Sequence, residues 1–264
     1  MPDRSYLFVP GDRPDRFEKA LDTGAHAVIL DLEDAVQPER KDAARQKVAE
    51  WLAGAGRPVY VRINAFGTPW HMPDRELLKH ASVRGVMLPK SEDPGQLQQL
   101  ASLLQPGQTL LPLIETVEGW FNIQAISQGP CVERLAFGSV DFMADSGIQG
   151  DGAELDAVRT LLVLHSRRAG LLAPIDGVSL AINDQERLRA DVLRSRKWGF
   201  GAKLCIHPGQ ITAVHEGFAP SEQEIQWARK VLQALEKGQA GAIAVDGKLV
   251  DKPVILLAQS ILAE

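Results

Sequence analysis

Charged residues in this chain fall where short apolar runs end. Asp31, Glu33 and Asp34 follow AVIL, Arg62 and Asn64 close VYVRIN, and Lys90 closes VMLPK. Glu115 closes LLPLIE, and Asp141 lies just past LAFG. If these runs are strands of one parallel barrel, their ends meet at a single rim. A rim with several carboxylates and a few cations suits a metal ion and an anionic small molecule. Glu115 and Asp141 are the metal candidates, because they follow consecutive runs and adjacent parallel strands lie about 5 Å apart. Oxygen-only ligation favours a hard cation such as Mg²⁺, which takes one or two protein carboxylates and fills its octahedron with water and substrate oxygens. Zinc would call for histidine or cysteine, and neither stands nearby in the pattern. The competing reading is that each acid caps the helix that follows it.

The cations carry alternatives too. The Arg62 guanidinium fork matches a carboxylate bidentately. That carboxylate is either a ligand's or that of Asp31 or Glu33, with Arg62 then a buried structural partner. Asp31 and Glu33 share one strand face, and Asp34 lies on the other parity or already in a loop. Lys90 could form a Schiff base if its pKa were depressed; with acids on neighbouring strands it is expected to stay protonated and paired. His207, just before Pro208, is expected to order a loop. Arg13, Arg16 and Lys19 cluster after the first run, as solvated charge or as contacts to a phosphorylated ligand.

Holding these side chains at one rim requires regular alternation. SYLFVP, HAVILDL, RPVYVRI, VRGVMLP, TLLPLIE, VERLAFG, PIDGVSL and AKLCIH read as eight strands buried on both faces. Between them apolar residues repeat at helical spacing, as in Ala44, Val48, Trp51 and Leu52 or Leu97, Leu100 and Leu104. Pro14, Asp93-Pro94 and Asp184 mark helix starts, and Gly24, Gly170 and Gly199 mark ends. Eight such units predict an α/β fold, a (β/α)₈ TIM barrel over residues 1–218. An open doubly wound sheet would want a glycine-rich phosphate turn after the first strand. The chain has Pro-Gly-Asp-Arg-Pro there. Residues 219–264 read as a helix–hairpin–helix appendage that packs on the barrel or on a neighbouring subunit. Ser221 and Glu224 form a capping box, Asp246-Gly247 a tight turn, and a short helix runs from Val254.

The 264 residues carry a net charge of −5, which argues against a nucleic-acid surface. No stretch is long and apolar enough for a bilayer, and MPDRSYLFVP lacks the pattern of a secretory leader. The two cysteines, Cys131 and Cys205, show no metal or disulfide spacing, so a reducing cytoplasm is expected.

The motifs RSYLFVPGDRP, VILDLEDAV, VYVRIN, VMLPK, LIET, FGSVDF and KLCIHPGQI together resemble the citrate lyase beta-subunit family, within the HpcH/HpaI aldolase and malyl-CoA lyase superfamily. KLVDKP resembles the C-terminal motif of the citramalyl-CoA and malyl-CoA lyase branch. The resemblance implies a TIM barrel that binds Mg²⁺ through Glu115 and Asp141 and assembles as a trimer or hexamer. It implies Arg62 and Glu115 at the substrate, and Asp251 as a catalytic acid/base donated by a neighbouring subunit. It places Phe8, Arg16 and Lys19 near coenzyme A; where related enzymes carry a basic residue before Arg16, this chain has Asp15. The reaction implied is a Claisen-type cleavage of a citryl-, citramalyl- or malyl-CoA-like thioester, giving a 2-oxoacid such as oxaloacetate and acetyl-CoA. The carrier would be free CoA or an acyl-carrier protein. Two alternatives stand beside it: a metal-dependent 2-oxoacid aldolase that needs neither Asp251 nor CoA, and a non-catalytic oxoacid-binding or complex subunit.

Overall fold

The computed structural model describes residues 3–54, 56–236, 243–245 and 248–263. The described residues between 3 and 215 form one compact unit and those between 216 and 263 form a second. In the first unit eight parallel strands close into a barrel in chain order. They are β1 Ser5–Pro10, β2 Ala27–Asp31, β3 Val59–Arg62, β4 Val83–Leu88, β5 Thr109–Ile114, β6 Ala136–Phe137, β7 Ile175–Asp176 and β8 Ala202–Cys205. At least one helix separates each strand from the next, so the fold is the (β/α)₈ barrel that the eight apolar runs predict. β6 and β7 are shorter than their runs. Each ends at a glycine packed against a neighbour: a Cβ on Gly138 would come within 2.5 Å of Glu115 Cβ, and one on Gly177 within 2.6 Å of Ser139 Oγ.

The punctuation residues act as their chemistry requires. Asp93 accepts from the Gly95 N–H with Pro94 in the first turn, and Asp184 accepts from the Arg187 N–H. Gly199 ends helix Gln185–Trp198 at φ 101°, a conformation open to a residue without Cβ.

Not all charge lies at the rim. Register pairs Asp176 of β7 with Lys203 of β8. Both belong to the parity opposite to the barrel interior and meet the surrounding helices. Asp176 takes the Arg159 Nε at 3.2 Å, the Lys203 Nζ at 3.4 Å and the Ser195 hydroxyl. Burial alone would raise its carboxyl, but Lys203, Arg159 and the Ser195 hydrogen bond outweigh that and bring it down to about 2. Cys205, also buried, is pushed up to about 12 by loss of solvent, as befits an inert thiol.

The second unit begins with the capping box: the Ser221 N–H donates to Glu224 Oε2 at 2.7 Å, and the Glu224 N–H to Ser221 Oγ at 3.2 Å. Helix Glu222–Glu236 packs with helix Lys252–Ala263 around Ala228, Val231, Val250 and Ala258. Between them β9 Ile243–Val245 and β10 Lys248–Val250 pair antiparallel. The Asp246-Gly247 turn lies outside the described residues. The last helix starts two residues before Val254, with Asp251 Oδ1 accepting the Val254 N–H at 3.3 Å. Among the described residues no helix is long and apolar enough to cross a membrane.

Candidate active site

Strand alternation builds the site. Tyr6, Ile29, Tyr60, Leu113 and Leu204 belong to the core cluster inside the barrel. Two residues further along each strand, on the same face, stand Phe8, Asp31, Arg62, Glu115 and Ile206. All five line a cavity of about 240 Å³. The core therefore ends upward in a ring of functional side chains at the C-terminal face, where barrels of this class keep their chemistry. Asp34 after β2 and Gly138, Ser139, Val140 and Asp141 after β6 also line it.

Register places Asp31 beside Arg62. Arg62 donates to it from Nε at 2.7 Å and from Nη2 at 2.5 Å, and its Nη1 stands 3.0 Å from Glu33 Oε2. Of the two readings of Arg62, its pairing with Asp31 and Glu33 is present, and the same guanidinium lines the cavity, 4.6 Å from the Phe8 ring centroid. Burial works against its charge, but Asp31, Glu33 and Glu115 more than compensate and raise its pKa. Asp31 also accepts the Glu33 and Ala35 N–H groups, which fixes the turn after β2. Lys41, which no sequence signal singled out, donates to the Leu32 and Glu33 carbonyls at 2.8 and 2.7 Å. Lys90 Nζ reaches Glu33 Oε1 at 3.0 Å. Burial lowers its pKa, yet Glu33, Glu115 and Asp34 carry it above the ordinary lysine value, so it stays a cation as expected.

Glu115 is almost fully buried and does not cap the helix after β5, since Thr116 does so through its hydroxyl to the Gly119 N–H. Its Oε1 instead accepts the Lys90 N–H at 2.8 Å. Lys90 turns that N–H inward by adopting φ 45°, a region uncommon outside glycine. Gly138 leaves the space that the Glu115 side chain fills. Burial and then the Glu33 charge push the Glu115 carboxyl up to about 8, with Asp141 adding to the rise. The Lys90 N–H and Arg62 pull the other way without cancelling it. Asp141 sits past the end of β6, in the first turn of helix Ser139–Ser146, half-buried. Two carboxylates thus share a cavity with less positive charge than they need. Among the described residues no three histidines, cysteines or acids converge as a metal cage. A cation there would rest on these two acids, with water and ligand oxygens as its other partners.

The remaining sequence candidates scatter. Phe8 is in the cavity. Arg16 and Lys19 are exposed on the turn and helix after β1 and are not among its lining residues. Asp251 is exposed at the start of its helix in the second unit. His207 caps the turn after β8, its Nδ1 accepting the Gly209 N–H at 3.0 Å. The sequence reading passed over Leu113, Val178 and Leu204, which also line the cavity; the signal was there in Leu113, two residues before Glu115.

The comparisons agree with this geometry. Residues 4–208 match the model of the HpcH/HpaI aldolase/citrate lyase family. A citrate lyase subunit beta-like protein of Mycobacterium tuberculosis is 37% identical, over 97% of this chain and 93% of that one. A (3S)-malyl-CoA thioesterase of Cereibacter sphaeroides is 33% identical, over 100% of this chain and 94% of that one. The crystal structure of the M. tuberculosis protein CitE in complex with magnesium, acetoacetate and coenzyme A superposes with a TM-score of 0.87 at 35% identity, covering 99% of this chain and 97% of that one. The chain belongs to the HpcH/HpaI aldolase/citrate lyase family of enzymes.

Proposed function

We propose that the chain is a Mg²⁺-dependent carbon–carbon lyase. It cleaves a 3-hydroxyacyl thioester of the citryl-, citramalyl- or malyl-CoA type into a 2-oxoacid and acetyl-CoA. The observation that carries this reading is the Glu115–Asp141 pair, short of positive charge, beside Arg62 in a cavity at the C-terminal rim. The crystallised relative bound to magnesium, acetoacetate and coenzyme A supports it.

Glu115 and Asp141 would hold the ion. When bound, it would supply Lewis-acid polarisation of the oxygen that becomes the oxoacid carbonyl. Arg62, fixed by Asp31, keeps donors on Nη1 and Nη2 for the oxoacid carboxylate and stabilises charge growing beside it. Asp31, Lys41 and Lys90 hold Glu33 and Arg62 in place, so little reorganisation is needed when charge develops. As the carbon–carbon bond breaks, its electron pair passes to the thioester α-carbon as an enolate, the hydroxyl proton is released to water, and the α-carbon takes up a proton to become the acetyl methyl group. Asp251 of a neighbouring copy is our candidate for delivering the α-carbon's proton, a step worth about 10²–10⁴-fold when positioned. Arg16 and Lys19 face the phosphates of the carrier, and Phe8 the acyl end. A screen of CoA thioesters with and without Mg²⁺, reading released 2-oxoacid, tests this. Cleavage that survives chelation, or turnover of CoA-free hydroxy-oxoacids at a higher kcat/KM, would overturn it.

A further inference from the structure

Helix Ser139–Ser146 carries an acid in its last turn, Asp145. A negative charge there opposes the helix dipole, and it stands one turn from the like charge of Asp141. Neither favours the helix itself. Asp145 instead serves a neighbour: its Oδ2 accepts the Val117 N–H at 2.7 Å. That N–H is the first donor of helix Val117–Phe121, and the third, that of Gly119, goes to the Thr116 hydroxyl. An acid is well placed at such a start.

The helix so capped begins two residues after Glu115. Its first turn also rests on the loop after β4. A Cβ on Gly119 would come within 2.5 Å of the Ser91 carbonyl oxygen, and the Asn122 amide donates to the Glu92 carbonyl at 2.9 Å. Lys90, whose N–H holds Glu115, directly precedes Ser91. At its other end helix Ser139–Ser146 follows Gly138, whose N–H donates to the Ile114 carbonyl at 2.9 Å. The segment bearing Asp141 is therefore tied on both sides of that residue to the segment bearing Glu115, once through backbone and once through a side chain.

Resting on the reading of Glu115 and Asp141 as ligands of one ion, we propose that Asp145 is a positioning residue that sets the separation of those two carboxylates. It acts through its bond to the Val117 N–H and not through its charge. Octahedral Mg²⁺ tolerates little misplacement of its oxygens, so releasing this tie should weaken metal binding about tenfold or more. An exposed charge a helical turn away, screened by water and salt, changes affinity by only about two- to threefold.

The test is Mn²⁺ binding to the full chain in the presence of pyruvate, followed by electron paramagnetic resonance. Asp145→Ala loses acceptor and charge together, and Asp145→Asn loses the charge alone. The proposal expects Asp145→Ala to bind Mn²⁺ at least about tenfold more weakly and Asp145→Asn to stay within about threefold of the unsubstituted chain. Both should melt cooperatively, since the side chain is exposed. Should Asp145→Ala fail to do so, Asp145→Gln takes its place, matched in charge to Asp145→Asn with its oxygen one methylene further out. Asp145→Asn weakened as much as Asp145→Ala would show that charge acts and overturn the proposal. So would variants that all bind like the unsubstituted chain, and either result leaves the metal pair standing. No Mn²⁺ bound by the unsubstituted chain would overturn the metal pair as well.

Discussion

At the scale of single residues the site depends on close approach. Gly138 permits the Glu115 side chain to stand where a Cβ would collide with it. Gly138→Ala should displace the carboxylate and weaken Mg²⁺ or Mn²⁺ binding about 10–100-fold, the usual effect of disturbing a ligand's support. The melting temperature should change little; unchanged metal affinity would show that Glu115 holds no ion. Lys90 offers a second test. Held as a cation by Glu33, it should form no imine, so borohydride with pyruvate should leave the protein's mass unchanged. A reduced adduct on Lys90 would point to a metal-independent aldolase. Much of this was legible in the sequence, because charge at the end of an apolar run on the strand's inward parity must point into the barrel mouth. The pairing of Arg62 with Asp31 was legible only as one of two alternatives, since register between β2 and β3 decides it. Gly138 could not be read at all, because its partner Glu115 is a neighbour in space and distant in sequence.

At the scale of elements the eight strands and their caps follow from periodicity and punctuation. The sequence reading fell short where side chains decide how far a strand runs. β6 and β7 stop at Gly138 and Gly177, and Asp141 consequently lies in a helix turn and not at a strand end. It also missed the charge buried between barrel and helices, because Asp176 in PIDGVSL looks like a flaw in a strand until Lys203 and Arg159 are placed against it. Removing the Asp176 charge leaves two buried cations short of a partner. Asp176→Asn should therefore destabilise the fold by about 3–5 kcal/mol in denaturant titration. The pH dependence has a definite sign. The carboxyl falls from its ordinary value of 3.8 to about 2 on folding, so its contribution, about 2 kcal/mol, is fully present above pH ~4 and lost as pH falls towards 2. Asp176→Asn should flatten that part of the acid-stability profile; an unchanged profile would show that the cluster carries no net stabilisation.

At the scale of the whole molecule the chain forms two compact units, and the proposed chemistry draws on both. The cavity lies in the barrel and Asp251 in the C-terminal unit. The sequence pattern announced a barrel and an appendage, but only family resemblance implied a role for Asp251, because without it the residue reads as a surface hairpin aspartate; in the structure its Oδ1 caps the last helix. If a neighbouring copy supplies Asp251, mixing inactive Glu115→Gln with inactive Asp251→Asn chains and allowing subunits to exchange should restore thioester cleavage. Mixtures that stay inactive after demonstrated exchange would place Asp251 in its own chain's site or outside the reaction. The whole account rests on a divalent ion seated between Glu115 and Asp141, and Mn²⁺ binding followed by electron paramagnetic resonance tests it most directly. The account predicts one bound ion per chain in the presence of pyruvate and none detectable in Glu115→Gln that still melts cooperatively. Equal Mn²⁺ occupancy in that variant would contradict it.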